Sequence, residues 1–317
     1  MSPASAPVAI IDIGSNSIKT LVARRWADGT LEALMNKTLD ARISAGLGAA
    51  QPRLSDEGMA RGVAAIQELL AMGAPYSPAR TVLVATSAVR DAANGDDFRA
   101  RVLAATGHPI RLLSGEEEAN LIGRGLTCDP ALKGLKDFYV FDLGGGSLEC
   151  LSFRDRRIVQ AISLRLGCVR LTEKFVADPA GPLEQDALVG VALHVRQELR
   201  RAGFRLDLPA PAEAVFTGGT VTTVRLLKGA RHGVGLEDTP SVVTASTLDA
   251  LLDELAPLTL EERKAIPGMP AARADVFLVA LVTLLAVSEA AALPHFHHSL
   301  YNLRWGLAAD ALEAGAS

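Results

Sequence analysis

The sequence predicts an α/β protein of two similar domains with mixed sheets facing an interdomain cleft. Three observations carry this. Ile11-Asp12-Ile13-Gly14-Ser15-Asn16-Ser17 and Phe141-Asp142-Leu143-Gly144-Gly145-Gly146-Ser147 are variations on one phrase, 130 residues apart. In both, an apolar run delivers an aspartate, then a glycine-containing turn, a serine and a second apolar run. After each copy, short apolar runs alternate with helical patterns, which argues α/β, and the hairpin starts make the sheets mixed. A chain of 317 residues is also long enough for two cores of ordinary size.

In the first half, Val8 to Ile13 and Ile18 to Trp26 are strands joined beyond Trp26 to a third, Leu31 to Leu39, through the turn at Asp28-Gly29. Ser55 caps a helix whose apolar positions Met59, Val63, Ile66 and Leu70 recur at helical spacing, and Gly73 ends it. Thr81 to Ala85 reads as a strand, Asn94 as the cap of a second helix, and Ile110 to Leu113 as another strand. Ser114-Gly115-Glu116-Glu117 opens a third helix with a capping-box pattern. The pattern restarts near residues 125 to 136, which puts the first domain at 1–125 and the second at 126–301. Strands then cover Tyr139 to Leu143, Leu148 to Phe153 and Ile158 to Leu164. Helices follow Gly167 and span Leu183 to Gly203, and a strand at Ala214 to Phe216 runs into Thr217-Gly218-Gly219-Thr220. The remainder reads as mostly helical, with a loop between Gly229 and Gly235.

Composition excludes several classes. Hydrophobic residues make up 49% of the chain, as in folded globular proteins. A net charge of -4 gives no general attraction for nucleic acid or membrane, so a polyanionic substrate must be held by local devices. Aromatic content of 4% argues against base-stacking surfaces. Cys128, Cys150 and Cys168 show no CxxC spacing and read as reduced thiols. Met1 to Pro7 reads as a loose tail. Val276 to Val287 is too short for a membrane span, which needs about 20 residues, and reads as a core helix. The expectation is a soluble, cytoplasmic protein.

The chemistry sits in the turns. Small residues after a strand-ending carboxylate let backbone amides approach an oxyanion. This makes Gly14, Ser15, Asn16 and Ser17 candidate phosphate ligands, together with Gly144, Gly145, Gly146 and Ser147. Gly218, Gly219 and Thr220, at the start of a helix, form a third such turn. Asp12, Asp142 and Glu149 are candidate Mg²⁺ ligands, directly or through water. Two like charges 4 Å apart repel by ~4 kcal/mol at an effective dielectric of 20, so carboxylates beside a phosphate chain require a cation between them. His295, His297 and His298 have no spaced partner cluster and read as non-metal residues.

Five ordered segments carry a resemblance: the two turns above, Thr86-Ser87-Ala88-Val89-Arg90-Asp91-Ala92-Ala93-Asn94, Ser114-Gly115-Glu116-Glu117-Glu118-Ala119, and Thr217-Gly218-Gly219-Thr220. Together they resemble the exopolyphosphatase/guanosine pentaphosphate phosphohydrolase family of the actin, Hsp70 and sugar-kinase superfamily. The resemblance implies two ribonuclease-H-like domains and a return of about 302–317 to the first. It implies a phosphohydrolase acting with Mg²⁺ on polyphosphate or on guanosine penta- or tetraphosphate, and it admits a homodimer. It makes Glu118 the general base, with Glu117 as fallback, gives Asp142 a catalytic part, and places Arg90 at the phosphate. Arg304 resembles a family arginine, but the usual Gly-Leu-Arg-Glu-Gly has become Asn302-Leu303-Arg304-Trp305-Gly306, which leaves its role open. Longer relatives carry a further helical domain, so weak processivity on long chains is expected. A binding-only sensor of these nucleotides and an ATP-binding kinase or chaperone-like member remain as alternatives.

Overall fold

The computed structural model describes residues 5–44 and 51–314. Most of the expected tail and the last three residues of the returning segment therefore lie outside the described residues. The chain divides into two compact units, Met1–Lys133 with Tyr301–Ser317 and Gly134–Leu300.

Unit one opens with the hairpin meander β1 (Val8–Ile13), β2 (Ser17–Arg25) and β3 (Leu31–Asp40). The chain continues through α1 (Asp56–Gly73), β4 (Arg80–Ala85), α2 (Ser87–Asp91), α3 (Gly95–Thr106), β5 (Ile110–Leu112) and α4 (Gly115–Leu126). The sheet order is β3-β2-β1-β4-β5, with β2 antiparallel to β1 and β4 and β5 parallel. Ser55 caps α1 by accepting from the Gly58 amide, while Met59, Ile66 and Leu69 face the core. Gly73 does not end the helix in a left-handed turn. The backbone continues through one 3₁₀ turn and stops at Ser77, whose φ is +48°.

Unit two repeats the plan. Its elements are β6 (Phe138–Leu143), β7 (Leu148–Arg154), β8 (Arg157–Leu164), α5 (Cys168–Phe175), α6 (Gln185–Arg201), β9 (Glu213–Thr217) and α7 (Gly219–His232). They continue with β10 (Val242–Thr244), α8 (Ala245–Leu255), α9 (Leu260–Ala265), α10 (Phe277–Ala290) and β11 (His295–His298). The order β10-β11-β9-β6-β7-β8 is that of unit one with one added edge strand, β10. The duplication extends to a register shift: β2 slips against β3 at Val22/Ala23, and β7 against β8 at Ser152/Phe153, again 130 residues on.

One expectation for this half changes and another is filled in. α7 runs through Gly229 to His232, where Gly233 at φ +68° ends it, because Gly229 inside the helix leaves room for Val234 and Thr239. The tail is not only helical, since Val242–Thr244 pairs with His295–His297. Three residues are too few for an alternating pattern to register. α10 is buried on nearly every side, and among the described residues no helix is long and apolar enough to cross a membrane. The last helix, α11 (Leu303–Ala314), belongs to unit one, where it packs on α4, β1 and β2.

Candidate active site

The candidate residues of unit one lie at the carboxyl ends of adjacent parallel strands, the usual place for ligands in open α/β sheets. β1 leads into the 14–17 turn, β4 into α2 with Arg90, and β5 into α4 with Glu118. In the first turn the Gly14 amide donates to Ser17 O at 3.2 Å. In unit two the Gly144 amide donates to Ser147 O at 3.0 Å, so the two turns share one hydrogen-bond closure. Asn16 accepts from Arg42 Nε at 3.1 Å, and Ser15 O accepts from Ser44 Oγ at 2.9 Å. Among the described residues the buried Ser15 hydroxyl has no hydrogen-bond partner, which suits a group reserved for a ligand.

The three consecutive glutamates of α4 separate clearly. The capping box forms, with the Glu117 amide donating to Ser114 Oγ and the Ser114 amide donating to Glu117 Oε2. Arg111 takes the other Glu117 oxygen at 2.9 Å, and these bonds hold the Glu117 carboxyl below its ordinary value. Glu116 and Glu117 are exposed, whereas Glu118 is 6% exposed. One step of 100° along the helix produces that difference. Arg90 Nη1 donates to Glu118 Oε2 and to Leu113 O, both at 3.0 Å. The structure thus brings together the two residues taken as phosphate ligand and base. Asn94 stands at the N-cap position of α3 but makes no capping bond. Its amide instead exchanges two bonds with the Leu54 backbone, at 2.8 and 2.9 Å.

In unit two a polar row crosses the apolar sheet. Thr217, Asp142, Glu149 and Ser163 are register neighbours on β9, β6, β7 and β8. Asp142 is 9% and Glu149 2% exposed, and Ser163 Oγ donates to Glu149 Oε1 at 2.7 Å. Thr217 Oγ1 is buried and has no hydrogen-bond partner among the described residues. Like charges directly opposite in a sheet destabilise it unless other groups offset them. In unit one the equivalent cross-strand partner of Asp12 is Lys19. Burial pushes the Asp12 carboxyl above its ordinary value, while Lys19 and Arg304 pull it down. Among the described residues no three His, Cys, Asp or Glu side chains form a metal-ligating group. A pair of carboxylates beside a hydroxyl still fits Mg²⁺, which keeps most of its waters and binds through one or two carboxylates.

The glycine-rich turns of unit two are built tightly. The carbonyls of Gly144 and Gly145 accept from the first amides of α5, and Gly146 O accepts from Arg170 Nε. Among the described residues the Gly145 and Gly146 amides have no protein acceptor. Gly218 has φ +96°, and a Cβ there would lie 2.7 Å from Leu143 O and 2.8 Å from Asp142 Oδ1, so only glycine fits. Thr220 Oγ1 is another buried hydroxyl with no partner among the described residues. Sequence reasoning missed Arg273. Its guanidinium packs against Gly219 at the start of α7, where a Cβ would fall 2.0 Å from Nη2. Nothing in the local pattern marks it, because only the fold brings the 271–273 turn to that helix.

Arg304, His297 and His298 make contacts within the fold. Arg304 is buried and clamps α11 to the sheet, donating to Thr20 O and Asn36 Oδ1. His297 pairs with Glu213 at 3.2 Å. His298 is buried, takes a bond from Arg225 at 3.0 Å, and lies 3.4 Å from Thr222 Oγ1. Burial and the Arg225 charge lower its pKa from 6.5 to about 3. A depressed histidine stabilises the fold fully above 6.5 and loses that contribution as pH falls toward 3. In that window the unfolded chain binds the extra proton, so stability changes by up to ~1.4 kcal/mol per pH unit. Urea unfolding across this range should show a shallower slope for His298→Asn, and an identical slope would refute the coupling.

Known structures share this fold. An exopolyphosphatase from Cytophaga hutchinsonii is 22% identical, with 97% of this chain and 98% of that chain covered and a TM-score of 0.87. An Aquifex aeolicus Ppx/GppA enzyme is 25% identical, with 96% and 99% covered and a TM-score of 0.76. An exopolyphosphatase-like protein is 25% identical, with 98% and 99% covered and a TM-score of 0.88. The family model for the Ppx/GppA phosphatase family matches residues 21–314, which takes in Arg90, Glu118 and every turn of unit two, and the chain belongs to that family.

Proposed function

We propose that this phosphatase releases terminal orthophosphate from inorganic polyphosphate or guanosine pentaphosphate, with Glu118 as general base. The observation that carries the reading is the Arg90–Glu118 pair. A buried carboxylate is held at 3.0 Å by a guanidinium at the carboxyl ends of β4 and β5. Arg90 has further donors for the oxygens of a phosphoryl group, for which the planar guanidinium is suited. Contact with Arg90 would place that phosphoryl beside the carboxylate that takes a proton from the attacking water. Each unit has candidate donors of its own for phosphate oxygens: the Ser15 hydroxyl in unit one, and in unit two the Gly145 and Gly146 amides, the Thr220 hydroxyl and Arg273. Gly14, Asn16, Ser17, Gly144, Ser147, Gly218 and Gly219 shape the backbone around them. In unit two Asp142 and Glu149 would hold a divalent cation, which would neutralise phosphate charge; in unit one Asp12, opposite Lys19, is the weaker candidate ligand. Positioning and charge stabilisation are the main contributions in phosphoryl transfer.

The test is phosphate release with Mg²⁺ from polyphosphate, guanosine pentaphosphate and ATP in parallel, each repeated with a chelator. Release from either of the first two, lost on chelation, is expected. Preferential ATP hydrolysis would favour a kinase or chaperone-like activity, and tight binding without release would favour a sensor.

A further inference from the structure

The two candidate phosphate turns are built by one device, and in unit two an arginine completes it. Gly144, Gly145 and Gly146 carry no Cβ, so their peptides need outside partners to hold one orientation. The start of α5 supplies them. Cys168 N donates to Gly144 O at 3.0 Å, and Val169 N donates to Gly145 O at 2.9 Å. Arg170 makes the third bond from its side chain, with Nε 3.0 Å from Gly146 O. Arg170 is 8% exposed, although it carries a charge.

A trans peptide points its C=O and N–H in opposite directions. Three carbonyls turned toward α5 therefore turn the amides of Gly145, Gly146 and Ser147 away from it. None of these amides has a protein acceptor among the described residues. Successive outward amides form an anion-binding nest. Helix and turn fit closely, since a Cβ at Gly167 would lie 2.3 Å from the Gly145 carbonyl. Unit one holds its turn in the same way from a different element. Asn16 O accepts from Arg42 N at 2.9 Å, Ser15 O accepts from Ser44 Oγ, and Arg42 Nε donates to Asn16 Oδ1. Asn16 and Gly146 are equivalent positions, 130 residues apart. In each unit an arginine Nε is committed to that position, to the side chain of Asn16 and to the main chain of Gly146.

We propose that Arg170 is a positioning residue that fixes the 144–147 turn with its three amides displayed to a phosphate group. It acts through the Gly146 peptide rather than by touching the ligand. The inference rests on the reading of this turn as a phosphate ligand. Without the Nε bond the buried Gly146 carbonyl loses a partner, the peptide rotates to find another, and the Ser147 amide leaves the set.

Amide NMR of the full chain, titrated with methylenediphosphonate and Mg²⁺, tests it. The bridging carbon of this probe resists hydrolysis, so the result does not depend on turnover. In the wild type the Gly145, Gly146 and Ser147 amide resonances should move and saturate. Arg170→Lys keeps the charge and nearly the length, but places a methylene where Nε stood. It should raise the dissociation constant about ten-fold, the worth of one hydrogen bond to a charged group. Gly167→Ala, which pushes on the Gly145 carbonyl from the helix side, should do the same. Unchanged circular dichroism and unit-one amide resonances would show that both variants fold. A side chain acting by its charge alone, or only by filling space, would leave Arg170→Lys at wild-type affinity, and that result overturns the proposal. So does a wild type whose three amides do not respond. An active enzyme that fails this test keeps Glu118 and loses Arg170, whereas an inactive protein that passes it loses only the hydrolytic reading.

Discussion

Glu118→Gln should lower kcat by about 10²–10⁴-fold, the range that a positioned general base contributes, while KM changes little. The substitution is nearly isosteric. Glutamine Oε1 can still accept from Arg90 Nη1, which also keeps its bond to Leu113 O, so the phosphate-facing donors stay in place. What is lost is the capacity to take a proton. A loss confined to kcat is the signature of a group acting in the transition state rather than in binding. The control is one residue away. Glu117→Gln preserves the capping box, which accepts either residue, and should leave kcat within about two-fold. Steady-state phosphate release by the two variants decides between the neighbours. Normal turnover by Glu118→Gln would remove the assignment, and a collapse in Glu117→Gln would transfer it.

The second large effect is on stability. Gly306→Ala should destabilise unit one by about 3 kcal/mol, the upper end for overpacking a dense contact. A Cβ at Gly306 would lie 2.0 Å from Leu121 O, and one at Gly125 would lie 2.1 Å from Asn302 O. α4 and α11 therefore cross backbone to backbone at two facing glycines. Both obstacles are main-chain atoms of packed helices, so no rotamer change relieves the clash and the helices must part. Separation would loosen Arg304, two residues before Gly306, from Thr20 and Asn36, and would disturb the helix that presents Glu118. Gly134→Ala provides the comparison, since nothing lies within 4 Å of its added carbon, and should cost less than about 0.5 kcal/mol. Urea midpoints measure both. A Gly306→Ala protein as stable as the wild type would contradict the close crossing. This crossing also accounts for the glycine that ends Asn302-Leu303-Arg304-Trp305-Gly306, even though Trp305, stacked on Tyr301, has replaced the usual glutamate.

Glu118 is singled out by the family resemblance, whereas the sequence alone determined the duplicated plan and the use of Glu117 in a capping box. These are properties of local order. Strand alternation, the Ser114–Glu117 capping box and the 100° step per residue all act within a few neighbours, so their outcome is written in short segments. Only the tertiary structure decided who faces whom. That Asp142 lies opposite Glu149 while Asp12 lies opposite Lys19 follows from strand register. That Asn94 serves Leu54 rather than its own helix, and that Arg273 reaches Gly219, follows from packing between segments 40 or more residues apart. Such pairings depend on the summed burial of whole sheets and helices, which local residue pattern does not encode.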